Sequence, residues 1–124
     1  MKANELMIGD WVFNKNVNKP MQVYPMMFSQ MFHQRPDATT EDYNIFPIPI
    51  TPEILEANGF TRSKVFVEWK YEDDNTYILW KPFPWIKIEM EDHTVMFPCE
   101  YVHELQHALR LCGIDKDIII KKEA

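Results

Sequence analysis

His103-Glu104-Leu105-Gln106-His107 spells H-E-x-x-H. On a helix, two imidazoles four residues apart project from consecutive turns toward one metal ion, and the glutamate beside the first can polarise a bound water. Read this way, His103 and His107 are zinc ligands and Glu104 is the general base of a small zinc-dependent hydrolase. Zinc needs a third protein ligand. The extended metzincin pattern would put Gly and His at positions 110 and 113, where the chain has Arg110 and Gly113. Glu123 lies one residue from the end, and Glu100 is two turns from His107 on the same helix. His93, in a turn, is the remaining third ligand. The plainer reading places His103, Glu104 and His107 on the polar side of an amphipathic helix. It expects neither a catalytic residue nor a cofactor, and the missing ligand favours it.

Other chemistry-bearing groups are incomplete. Glu100 and His103 form the Glu-x-x-His pair of di-iron bundles, but such a site needs a second copy and two further helical glutamates. Glu72, Asp73 and Asp74 lack the spacing of an EF-hand loop and read as a solvated turn. Ser29 and Ser63 lie in no nucleophile elbow, and neither cysteine is paired with a histidine by a known signature. Trp69, Trp80 and Trp85, with Phe83, can form an aromatic platform for a peptide or a sugar ring. The favoured reading makes them ordinary strand aromatics divided between core and sheet face, since aromatic residues are expected in strands.

The elements that must position these residues follow from pattern and punctuation. Leu6 to Tyr24 reads as short strands joined by tight turns such as Gly9-Asp10, an opening similar to SH3-like small barrels. Met26 to Phe32 fits strand or helix, and Arg35 to Asp42 a loop. Pro47 and Pro49 make 45–50 an edge strand or connector. Thr51 as N-cap, Pro52 in the first turn and Gly59 beyond the last predict a short helix, with Phe60 folded back on it. Val65–Trp69, Thr76–Trp80, Trp85–Met90 and Thr94–Phe97 predict a four-stranded antiparallel meander. Pro98 and Glu100 then introduce the longest helix, Glu100–Cys112, ended by Gly113. Its Tyr101, Val102, Leu105, Ala108, Leu109 and Cys112 share an apolar face; His103, Gln106, His107 and Arg110 fall opposite. Ile118–Ile120 reads as a last strand. All three glycines are used in turns and caps, so nothing remains to build a phosphate-cradling loop.

Bulk properties exclude several classes of function. At 124 residues, 46% of them hydrophobic, the chain fits one α+β domain burying about two-thirds of its unfolded surface. A net charge of −6, with no basic cluster beyond Lys121-Lys122, argues against general nucleic-acid binding. No apolar run has the length of a signal peptide or a membrane span. Cys99 and Cys112 would lie on the order of 20 Å apart along the helix, too far for a disulfide. Free thiols and the lack of a signal segment point to the cytoplasm.

Three segments in order, Ala3-Asn4-Glu5-Leu6-Met7-Ile8-Gly9-Asp10-Trp11-Val12, Ile48 to Leu55 with Gly59-Phe60, and Tyr101-Val102-His103-Glu104-Leu105-Gln106, resemble an uncharacterised family. That family is common in Bacteroides-type bacteria, their prophages and mobile elements. Its last motif usually reads Tyr-Val-His-Gln-Leu-Gln-Asn, so Glu104 and His107 depart from it while His103 and Gln106 are shared. The resemblance implies no enzymatic activity. It implies a phage-related accessory protein in which His103 and Gln106 have a role. Together these readings predict a single α+β domain, residues 1–124, with an antiparallel, SH3-like or partly barrel-like sheet, one short helix and a longer C-terminal helix packed on it. The expected role is a non-catalytic interaction module that engages a protein partner or a second copy of itself, with Trp69, Trp80, Trp85, His103 and Gln106 as the candidate contacts.

Overall fold

In the computed structural model, residues 5–27, 29, 39–64, 67–73 and 76–120 are described. The fold is α+β, with two antiparallel sheets, of three and five strands and neither closed, among the described residues. The chain divides into two compact units, residues 1–48 with 120–124 and residues 49–119.

The first unit holds β1 (Trp11–Asn14), β2 (Lys19–Gln22) and β3 (Ile45–Pro47), in the order β2-β1-β3. The turn before β1 forms because Gly9 takes a φ of +93°, open to a residue without Cβ. Asp10, fully buried, accepts the Met7 N–H through its carboxylate at 2.7 Å. Asn18 and Asn44 supply the left-handed positions of the β1–β2 turn and of the 3-10 turn Thr40–Tyr43. That turn occupies the end of the segment expected to be a loop; residues 30–38 lie outside the described residues. Residues 25–27 and 29 are helical, which favours the helix for the described part of the Met26–Phe32 stretch; residues 28 and 30–32 of it lie outside the described residues. Leu6, Val12, Val23, Met27 and Ile45 form the core of this unit. Pro47 is accommodated because β3 is an edge strand.

The second unit opens with α1 (Pro52–Ala57). Its ends follow the predicted chemistry: the Thr51 hydroxyl accepts the Ile54 N–H at 3.3 Å, and Gly59 is left-handed at φ +88°. Phe60 donates its N–H to the Leu55 carbonyl and Gly59 to that of Glu56, the paired bonds of a Schellman ending. Five strands follow, β4 (Thr61–Arg62), β5 (Trp69–Asp73), β6 (Thr76–Lys81), β7 (Trp85–Met90) and β8 (Thr94–Pro98), hydrogen-bonded in chain order. The predicted meander is thus extended by the two-residue β4. β5 shares only Trp69 with the expected Val65–Trp69 strand, Val67 and Glu68 being outside it and residues 65 and 66 outside the described residues, and Glu72 and Asp73 lie in the ladder instead of the turn. Alternation sets one face: Trp69, Ile78, Trp80, Ile86 and Ile88 are buried, and cross-strand pairs such as Ile78↔Ile88 and Trp80↔Ile86 lie directly opposite.

The C-terminal helix α2 spans Val102–Leu111. Its Val102, Leu105, Ala108 and Leu109 are fully buried, as the helical projection predicts. Glu104, His107, Ala108 and Leu111 share a hollow with Phe97 and Pro98, and the residues just beyond the helix, Cys112 to Lys116, share another with Tyr71, Asp73, Thr76 and Met90. The expected strand at Ile118–Ile120 does not form. Ile119 instead meets a side chain: Asn58 accepts the Ile119 N–H at 2.7 Å and donates to its carbonyl at 2.9 Å. One amide supplies the donor and acceptor that a neighbouring strand would have offered.

Candidate functional site

The H-E-x-x-H string lies on α2, and its three members have different surroundings. Glu104 is third in the helix. Its Oε1 accepts backbone N–H groups of Glu100 and Tyr101, each at 3.0 Å. Helix N-termini leave such donors without intrahelical acceptors, and a glutamate at the third position reaching back is half of a capping box. The carboxylate proposed as a general base thus holds the helix start in place.

His103 is 5% exposed and Gln106 7%, so neither lies on a solvated face. This corrects the two-sided reading of the helix: burial continues from Val102 around to Gln106, and Arg110 and Leu111 are the exposed positions. As direct surface contacts for a partner, His103 and Gln106 are therefore poorly placed. The His103 ring stacks on Tyr101 at 5.9 Å with 10° between planes. His107 meets it edge-on, with centroids 5.6 Å apart. The two imidazoles predicted to converge are neighbours.

His93 is not with them. It sits in the β7–β8 turn with Nδ1 2.7 Å from Asp92 Oδ1, a bond that holds the Asp92 carboxyl below its ordinary range. The strand β8 separates that turn from the start of α2, roughly 16 Å at the rise of an extended chain. Among the described residues, no three His, Cys, Asp or Glu side chains group as a metal would require. A zinc ion on His103 and His107 would have no third ligand among those residues, and it would compete with backbone donors for Glu104.

Cys99 and Cys112 are free thiols. Burial, reinforced by the Glu104 charge, pushes Cys99 far above a normal thiol, and burial also raises Cys112. Neither is tuned as a nucleophile, which needs a lowered pKa. No described helix is long and apolar enough to cross a membrane.

The tryptophans are brought together in part. Trp69 and Trp80 face each other across β5 and β6 and are 6% exposed. The Trp80 indole donates to the Cys99 carbonyl at 2.8 Å. Their accessible edges line an open hollow of about 410 Å³ with Ile50, Pro52, Val67 and Pro82, and Glu56 and Arg62 at its side. Trp85 is on the other face of the sheet, half-buried under the Lys81 ammonium at 5.3 Å. The four aromatics thus form no single platform and divide between core and sheet face as strand aromatics do: Trp69 and Trp80 are buried at the edge of a hollow, Trp85 lies on the opposite face and Phe83 is exposed in the β6–β7 turn. Sequence reasoning missed Val67, Pro52 and Pro82 because no local pattern reveals which loops border a sheet end. No family model, curated protein or solved structure matches the chain.

Proposed function

We propose that this chain is a non-catalytic interaction module that works in the cytoplasm as a phage-like or mobile-element-associated accessory protein. On this reading, the Trp69–Trp80 hollow receives an apolar side chain of a protein partner. The observation that carries it is the hollow itself: concave, lined by two tryptophans, two prolines and two aliphatic residues, with one acid and one base beside it. Such a composition suits an anchor residue with polar groups fixing orientation. Free thiols support the compartment. The family resemblance supports the context, because a glutamine at position 104, as the resembled motif carries, can accept the same capping bonds. The SH3-like kinship of the three-stranded sheet belongs to the same proposal.

The test is selection from a displayed peptide library. Recovered peptides should share an apolar anchor, change tryptophan emission, and lose binding to Val67→Asp, a substitution at a 58% exposed position that leaves the fold intact. Peptides that bind Val67→Asp as well as wild type would sink the assignment. The zinc-hydrolase alternative predicts stoichiometric zinc that is lost in His103→Ala/His107→Ala. Protein prepared without chelators and found to be metal-free and folded would dispose of it.

A further inference from the structure

The cross-strand register brings a base to the Trp69–Trp80 hollow. Arg62 on β4 lies directly opposite Trp69 on β5, and Trp69 directly opposite Trp80 on β6. Residues paired in this way share a face of the sheet, so Arg62 ends a row whose next two members are the tryptophans. The helix supplies an acid. α1 ends against the same face, where Phe60, just beyond it, meets Tyr71 with ring centroids 5.5 Å apart. Glu56, in the last turn of α1, joins Arg62 in lining the hollow.

Both side chains are exposed. Among the described residues neither enters an ion pair, with the other or elsewhere. An acid and a base that flank one concavity without neutralising each other are available to a ligand, and they select it by charge. The rest of the lining is apolar: the two indoles, Ile50, Pro52, Val67 and Pro82. At about 410 Å³ the hollow has the size of a small-ligand site, for which about 300–1,000 Å³ is usual.

The best-matched occupant combines an apolar body with one charge of each sign. An apolar residue inside a peptide presents only its neutral N–H and carbonyl. A chain terminus answers one charge and leaves the other facing a neutral amide. A free α-amino acid carries a carboxylate and an ammonium on the carbon that bears its side chain, so one small molecule meets base, acid and apolar floor. We infer that the hollow is a binding site for a free α-amino acid with a large apolar side chain. Arg62 holds the carboxylate through its planar fork, Glu56 accepts the ammonium, and the side chain lies on the edges of Trp69 and Trp80. The inference rests on the reading of this hollow as a binding site and needs no protein partner.

L-Phenylalanine is the probe, and the indole N–H signals of the full chain are the readout. Titration should shift Trp69 and Trp80 and leave Trp85, on the opposite face, unmoved. Phenethylamine lacks the carboxylate and phenylpropanoate the ammonium; each should bind about fivefold more weakly or worse at low salt, the loss expected of a well-placed exposed ion pair. Alanine, a zwitterion without the apolar body, should shift neither indole. Arg62→Gln should abolish the advantage of phenylalanine over phenethylamine, and Glu56→Gln its advantage over phenylpropanoate; a merely structural role for either residue predicts neither pattern. Both positions are exposed, so the melting temperature should hold. No shift at about 20 mM phenylalanine, well above the millimolar affinity expected for a ligand of this size, would overturn the inference. Shifts centred on other residues, equal binding of either truncated ligand, or an advantage that survives the matching charge variant would also overturn it. An apolar peptide anchor needs neither charge, so failure of phenylalanine to bind counts against this inference alone. Selected peptides that bind Val67→Asp as well as wild type, with phenylalanine binding lost in that variant, would count against the peptide reading alone.

Discussion

Replacing Glu104 with alanine separates the two roles assigned to this residue. The carboxylate accepts two backbone N–H groups at 3.0 Å at the start of α2. Loss of a helix cap costs about 0.5–2 kcal/mol, with bonds to a charged acceptor toward the upper end. Alanine recovers a few tenths of a kcal/mol through helix propensity, and water can reach the freed donors at this half-buried position. A net loss of about 1–1.5 kcal/mol follows, which lowers the melting temperature by roughly 4–6 °C for a chain of this size. Glu104→Gln keeps an acceptor of the same reach and should cost about 0.5 kcal/mol or less. Glu104→Asp, one methylene shorter, should behave like alanine. Urea and thermal unfolding of the three variants give the order directly. An alanine variant within about 0.3 kcal/mol of wild type would refute the capping argument, as would a glutamine variant that is as unstable as alanine. A general base predicts a different pattern, loss of activity in Glu104→Gln with stability unchanged.

Two further outcomes follow from buried polar groups. Asn58→Ala removes the amide that bonds Ile54 and both backbone groups of Ile119, and should cost about 2 kcal/mol; amide exchange at Ile119 should rise while that of β6 and β7 stays slow, and an unchanged Ile119 would contradict the assignment. Cys99 has a folded-state pKa raised by burial above the ordinary value of 9.0, so the unfolded chain loses this proton first and stability must fall as pH rises past about 9. The fall should approach about 1.4 kcal/mol per pH unit from this group. Cys99→Ala should flatten that part of the profile, and an identical alkaline slope in the variant would show that another group is responsible.

Local chemistry was legible in the sequence wherever its partners lie within a few residues. Thr51, Pro52, Gly59 and Phe60 define both ends of α1 because each cap bond spans three to five positions. Alternation defined β6, β7 and β8 because a sheet with one buried face imposes a period of two. The helix between them keeps Cys99 and Cys112 apart, and both are free thiols. The tertiary structure decided the rest. β4 exists because Trp69 and Lys70 present backbone groups to Thr61 and Arg62, a pairing no local pattern encodes. Ile118–Ile120 has the composition of a strand, yet Ile119 finds its donor and acceptor in Asn58, 61 residues away. His103 and Gln106 read as solvated because periodicity compares a helix's faces with each other and is blind to what covers them. Their burial and the meeting of Trp69 with Trp80 depend on contacts between distant segments. Only the folded chain brings those segments together.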